Sequence, residues 1–245
     1  MKPIYEPRGK AKEYCDLAIN IYTGCNHGCV YCYAPRVLHR TREQFTAVEP
    51  RKGLVDALKK QLAAEDIKGR EIQLCFTCDP YPADIDTIIT REVIEVIKNS
   101  GNHVRILTKG GNRGERDFDL LDSGDWFGVT VAGNGTATLE NEPKAAPLYE
   151  RIITLENAHE KGIKTWVSCE PVYTPQEVYD LIIYPWYIDQ YKIGKLNYAP
   201  SDIDWSVFGH ECERLCKEHG RNYYIKEDLR KLMHPELLEN RSEGI

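Results

Sequence analysis

Gly24-Cys25-Asn26-His27-Gly28-Cys29-Val30-Tyr31-Cys32-Tyr33-Ala34 follows the apolar run Leu17 to Tyr22 and sets three thiols at spacings of four and three on one short loop. Thiolates are the ligands that iron-sulfur clusters take, and a loop of this size can wrap three corners of a cube. Three protein ligands on a four-iron cube leave one iron open, and an open position on a bound metal is where a substrate or cosubstrate coordinates. The competing reading is a zinc knuckle with His27 as fourth ligand. Zinc sites usually join a CxxC to a second, distant ligand pair, and they have no need of a preceding strand.

Outward from this loop, short β-branched runs alternate with amphipathic segments, the mark of repeated βα units around a parallel sheet. Six strands are predicted: Leu17 to Tyr22, Glu71 to Thr77, His103 to Thr108, Trp126 to Val131, Ile163 to Ser168 and Ile188 to Ile193. Pro50 opens a helix carrying Leu54, Val55, Leu58 and Leu62, and Thr90 caps one that runs through Val93, Ile94 and Ile97 to Gly101. A helix spans about Pro147 to Lys161 and stops at Gly162, and Thr174-Pro175-Gln176-Glu177 reads as a capping box. Six units make an α/β fold of the partial (β/α)6 TIM-barrel type. The chain 1–245 reads as one domain, with a core over about 15–198 and a short helical extension over about 199–245 that packs on it.

In such folds reactive groups gather where strands end. Cys25, Cys29 and Cys32 follow the first strand, Thr77-Cys78-Asp79-Pro80 the second, Lys109 the third, Cys169-Glu170-Pro171 the fifth, and Lys195 and Asn197 the sixth.

Composition narrows the class. Nine cysteines, an odd count in a chain of 245 residues without an export signal, favour metal or redox chemistry over a disulfide framework. No run approaches the roughly 20 apolar residues of a membrane span, so a cytoplasmic protein is expected. A net charge of -6 argues against long-range attraction to nucleic acid. Arg36, His39, Arg40, Arg42, Arg51 and Lys52 nevertheless crowd the segment after the cysteines, either as a local basic patch or as an ordinary solvated face.

The CxxxCxxC spacing, the aromatic beside the last cysteine and the βα pattern resemble the radical SAM superfamily. Within it, Gly24 to Ala34, Thr77-Cys78-Asp79-Pro80-Tyr81 and Ile106-Leu107-Thr108-Lys109 are similar to the spore photoproduct lyase-like branch of DNA-photolyase type. The resemblance implies a [4Fe-4S] cluster on Cys25, Cys29 and Cys32, with S-adenosylmethionine chelating the open iron through its amino and carboxylate groups. It implies reductive cleavage to a 5′-deoxyadenosyl radical that abstracts hydrogen from a substrate, and an electron donor such as flavodoxin or ferredoxin. Cys78 and Asp79 would lie against the S-adenosylmethionine, Lys109 would pair with its carboxylate, and Thr130 would line the pocket.

Each assignment has a plainer counterpart. Lys109 could cap the loop with Gly110 and Gly111, Asp79 could shape a turn before Pro80, and Glu170 could bind the adenosyl ribose or cap the next loop. In the lyases a cysteine gives a hydrogen atom to a product radical and tyrosines relay it, roles that the resemblance extends to Cys75, Cys78, Tyr31 and Tyr33. Cys75 and Cys78 cannot both point inward from a regular strand. Alignment on Asp79 puts Phe76 where the lyase cysteine stands, which leaves another radical outcome open. Cys75 and Cys78 could also join Cys212 and Cys216 around a second metal, against the reading that all four are core residues.

A nucleic acid or nucleotide is the substrate the branch suggests, with Tyr33, Arg36, Arg40, Tyr81 and Arg113 available to hold a flipped base. A small metabolite or peptide is the alternative, and a non-catalytic metal-binding module stands third.

Overall fold

The computed structural model describes residues 2–132 and 140–233. Seven parallel strands lie in sequence order: β1 (Ala18–Ile19), β2 (Glu71–Leu74), β3 (His103–Thr108), β4 (Trp126–Thr130), β5 (Lys164–Cys169), β6 (Gln190–Ile193) and β7 (Tyr223–Ile225). Each strand pairs with the next, as one-directional βα crossovers require. The result is an α/β partial barrel.

The helices are α1 (Ala34–Val37), α2 (Arg42–Thr46), α3 (Leu54–Ala64), α4 (Ile88–Asn99), α5 (Leu148–Glu160), α6 (Pro175–Ile183), α7 (Trp205–Glu218) and α8 (Glu227–Arg230). In α4, Val93, Ile94 and Ile97 are fully buried at helical spacing. With Leu54 and Leu58 of α3 they cover one flank of the strands, each such side chain contributing about 1.5–3 kcal/mol of burial.

Several sequence expectations need correction. The extension is not purely helical, because Tyr223–Ile225 joins β6 and makes a seventh strand. The first two strands stop early, at Ile19 and Leu74, because the chain turns away: Cys75 has φ +65°, and Asn20 Oδ1 accepts the amides of Phe76 and Thr77 at 2.8 and 2.9 Å. Thr90 caps nothing. It lies inside α4, and its hydroxyl donates to the carbonyl of Pro80 at 2.7 Å. Thr174 makes no side-chain cap, whereas Thr41 and Gln44 form a reciprocal capping box at the start of α2.

Between β7 and β1 the sheet is spanned by the segment Gly9 to Tyr14. Lys10 pairs with Asp228 and donates to Asn197 Oδ1 at 3.2 Å, and the Glu227 amide donates to Glu13 at 2.9 Å. Lys192 Nζ, inside the barrel, donates to the carbonyls of Glu13 and Tyr14 at 2.5 and 3.0 Å. The barrel floor is filled. The Arg105 guanidinium lies over Trp126 and Trp166 at 4.7 and 4.4 Å, and Lys192 lies 5.8 Å from the Trp166 ring. Any chemistry is therefore confined to the strand C-terminal end, where the cysteine loop lies.

Candidate active site

The cysteine loop is shaped by the chain around it, independently of any ligand. Gly24 is required there, because a Cβ would sit 2.1 Å from the Phe45 carbonyl oxygen, while the neighbouring Cys25 amide donates to that oxygen at 3.0 Å. Asn26 donates to the Ala83 carbonyl at 2.5 Å and accepts from the Ala83 amide at 2.9 Å. Arg42 reaches back to the carbonyls of Cys29 and Val30. Cys25, Cys29 and Cys32 are free thiols, each partly exposed. Burial pushes the Cys29 thiol up to about 12, opposed by the nearby Lys109 ammonium, and burial also raises Cys25.

His27 is committed elsewhere. Arg113 Nη2 lies 3.3 Å from its Nε2, and Asp79 Oδ2 lies 3.5 Å from its Nδ1. Since guanidinium only donates, Nε2 accepts and Nδ1 carries the hydrogen that faces Asp79. Burial lowers the imidazole to about 4 despite Asp79, so the ring is neutral at pH 7. With both nitrogens engaged, His27 fits the role of fourth zinc ligand poorly.

Asp79 proves to be a hub. Its carboxylate accepts the Thr108 hydroxyl at 2.6 Å, the Tyr81 amide at 2.8 Å and the Lys109 amide at 2.9 Å. Burial alone would raise its pKa, but His27, Thr108 and the two amides together hold it below the usual carboxylate range. Asp79 thus fixes the backbone from which Lys109 projects.

Lys109 Nζ lies 4.0 Å from Glu142 Oε1 and 5.6 Å from the Tyr31 ring centroid. Glu142 pairs with the buried Arg151, whose other nitrogens donate to the carbonyls of Ala146 and Thr130 at 2.7 and 3.0 Å. Thr130 is buried at the end of β4. Two buried oxygens beside Lys109, the Tyr31 hydroxyl and Glu142 Oε1, have no hydrogen-bond partner among the described residues. Burying such groups unpaired is costly, so polar atoms converging without partners mark a place shaped for a polar ligand. Three free thiols on one loop beside that place fit a cluster with an open iron and an amino-acid cosubstrate.

Across the mouth, Glu170 binds Asn197 at 2.5 Å, Tyr14 at 3.3 Å and Lys226. A Cβ on Gly194 would meet its carboxyl carbon at 2.8 Å, which explains the glycine at the end of β6. Tyr14 also bonds Ser168 Oγ at 3.0 Å and packs on Phe76 at 5.9 Å between ring centroids.

Cys75 and Cys78 do not alternate as strand residues would. The left-handed Cys75 brings its buried thiol against Cys78, and burial first, then Cys78, raises its pKa. Cys212 and Cys216 lie with Cys169 in the core, their thiols raised by burial. Tyr33 directs its hydroxyl to the Phe76 carbonyl at 2.6 Å. Tyr81 cannot stack on a base: it is fully buried and its hydroxyl donates to Asp117 at 3.1 Å.

The residues that sequence reading missed are Asn20, Tyr14, Glu142, Arg151 and Lys226. None has a local motif. Among the described residues, no helix is long and apolar enough to cross a membrane.

Comparison with known proteins agrees with this geometry. An uncharacterized protein of Acidianus two-tailed virus, ORF301, is 28% identical over 193 residues, covering 71% of this chain and 62% of that protein, less than two thirds of its length. A spore photoproduct lyase mutant superposes with a TM-score of 0.69 at 14% identity, covering 90% of this chain and 78% of its own, and the lyase is also solved complexed with dinucleoside spore photoproduct. Streptococcus suis SuiB bound to precursor peptide SuiA gives 0.63 at 11% identity, covering 90% of this chain and 51% of its own. The radical SAM superfamily model matches residues 19–181. With its barrel, its three-thiol loop and this match over more than half its length, the chain belongs to the radical SAM superfamily.

Proposed function

We propose that Cys25, Cys29 and Cys32 hold a [4Fe-4S] cluster beside a binding place for S-adenosylmethionine, within one domain. When bound, these groups supply reductive cleavage to a 5′-deoxyadenosyl radical that takes hydrogen from a substrate. The observation that carries the reading is the convergence of Lys109 with Tyr31 and Glu142 next to the cysteine loop, where the Tyr31 hydroxyl and Glu142 Oε1 have no hydrogen-bond partner among the described residues.

The chain's residues divide the remaining work. Lys109 supplies a cation for the cosubstrate carboxylate, and Glu142 an acceptor for its amino group. Asp79 and His27 act through position, holding the Lys109 backbone and the cysteine loop in register. Cys78 and Thr130 line the pocket. Glu170, held by Asn197, Tyr14 and Lys226, presents a fixed carboxylate at the mouth for a ribose hydroxyl. The Cys75 and Cys78 thiols and the Tyr31 and Tyr33 phenols are the candidate hydrogen donors.

A nucleic acid or nucleotide is the favoured substrate class, supported by the fold shared with a lyase solved with a dinucleoside. A peptide is the second reading, supported by the equally shared fold of SuiB. Anaerobic reconstitution should give about four irons per chain, and reduction with S-adenosylmethionine should yield 5′-deoxyadenosine. A Cys25→Ala, Cys29→Ala, Cys32→Ala variant that still forms deoxyadenosine would refute the assignment. Salt-dependent binding of oligonucleotides, set against binding of peptides, then separates the substrate classes.

A further inference from the structure

Cys75 and Cys78 stand in a CxxC spacing just past β2, and the backbone there is bent in a way that brings them together. The Cys75 amide donates to the Ile19 carbonyl at 2.8 Å, and at this residue the chain turns left-handed, with φ +65°. Asn20 Oδ1 then gathers the amides of Phe76 and Thr77, while its own N–H donates to the Tyr5 hydroxyl at 2.8 Å. A glycine would take the left-handed conformation without strain, whereas a residue with a side chain is strained there. The chain nevertheless has a thiol at this position.

The strained residue delivers that thiol to its neighbour. Cys75 Sγ lies against the Cys78 thiol, and both sit beside the same two phenols, those of Tyr5 and Tyr22. Cys78 Sγ also accepts the Tyr22 amide at 3.5 Å and lies 4.0 Å from Asn20 Oδ1. The two thiols differ in access: Cys75 is 6% exposed, whereas Cys78 is half-buried. Two free thiols held side by side, one reachable and one enclosed, are the parts of a dithiol couple, in which the first takes an incoming disulfide and the second resolves it.

We propose that Cys75 and Cys78 form a reversible redox site, closing to an intramolecular disulfide by exchange with a small disulfide of the glutathione class. The Cys78 thiolate attacks oxidised glutathione, forming a Cys78–glutathione bond and releasing one glutathione. Cys75 then attacks the Cys78 sulfur, forming the Cys75–Cys78 bond and expelling the second glutathione. The two cysteine protons end on the two glutathione thiols, so one dithiol is oxidised as one disulfide is reduced, and excess glutathione runs the exchange backwards. Closure cross-links the turn immediately before Asp79 and withdraws both thiols as hydrogen donors. That consequence rests on the functional reading above; the exchange itself does not.

The test equilibrates the reconstituted holoenzyme anaerobically in mixtures of reduced and oxidised glutathione, quenches it with N-ethylmaleimide and digests it with trypsin. Cleavage after Arg70 and Arg91 releases the peptide 71–91, whose only cysteines are Cys75 and Cys78, so its mass reads their state directly. The folded protein should form the internal disulfide with an equilibrium constant about ten-fold or more above that of the same chain in urea, because the fold holds the thiols together. Dithiothreitol should reopen it. Cys75→Ser should trap glutathione on Cys78, Cys78→Ser should leave Cys75 unmodified, and Cys15→Ser should close the disulfide as the wild type does. A constant equal to or below that in urea, a doubly alkylated peptide throughout, its linkage to another cysteine peptide, or glutathione on Cys75 in place of Cys78 would overturn the redox site. The wild-type comparison needs no variant to fold. Iron content of the same sample judges the cluster assignment separately, and a chain that loads no iron still gives its answer through the peptide.

Discussion

Asn26 grips the main chain of Ala83 with both ends of its amide, donating to the carbonyl at 2.5 Å and accepting from the N–H at 2.9 Å. The residue lies between Cys25 and Cys29, so the loop is tied to the chain after β2 independently of any ligand. Asn26→Asp keeps the acceptor and loses the donor, leaving a carboxylate oxygen against a carbonyl oxygen. It should cost about 1–3 kcal/mol in chemical denaturation and lower the iron bound per chain, whereas Asn26→Ala should lower iron loading with a smaller loss of stability.

Asp79→Asn should be more damaging than its isosteric shape suggests. Three donors, Thr108, Tyr81 N–H and Lys109 N–H, meet the carboxylate, and an amide presents N–H to one of its two oxygen positions. A loss of about 2–4 kcal/mol is expected by urea denaturation of the apo-protein. S-adenosylmethionine affinity of the reconstituted enzyme should fall with it, because Lys109 loses its fixed backbone.

Tyr31→Phe should have the opposite signature. Its hydroxyl is buried without a partner among the described residues. Removing it should leave the apo-protein as stable as the wild type, or about 1 kcal/mol more stable. Equilibrium binding of S-adenosylmethionine to the reconstituted enzyme should weaken. A stability loss above that margin would mean that the hydroxyl is already satisfied in the free protein.

Lys192 gives a pH dependence. Burial, reinforced by Arg105, lowers its ammonium to about 7 from an ordinary value near 10.5. Between these values the unfolded chain binds one more proton than the folded one, so this group makes stability rise with pH above about 7, by up to about 1.4 kcal/mol per unit. Above about 9 the buried cysteines reverse the trend, because thiols raised in the fold ionise first when unfolded. Lys192→Met should flatten the rise between pH 7 and 9 in thermal or urea melts of the apo-protein.

The fold was legible because its signals are local and repeated. β3 was located to the residue, and the helical part of the extension is α7, capped by Asp204, which accepts from the amides of Ser206 and Val207 at 3.0 Å. The three-thiol loop was legible for the same reason. What sequence could not show were partners distant along the chain. Asp79 was readable as a turn residue or a ligand contact, and its tie to His27 emerges only when the ends of β1 and β2 meet. Glu142 and Arg151 meet above β4 with no motif to announce them. Cys75 misled strand periodicity because one left-handed residue rotates everything after it. The seventh strand was missed because Tyr223–Ile225 is three residues long, below the length at which alternation is visible.

The strap from Gly9 to Tyr14 also imposes an order of events. Its clasps, Lys10 with Asp228, Glu13 with Glu227 and Tyr14 with Lys226, join the opening of the chain to residues made more than two hundred positions later. Such distant closures carry the largest entropic toll and come late in folding. The cysteine loop, tied to Ala83 across only 57 positions, therefore closes before the rim beside it does.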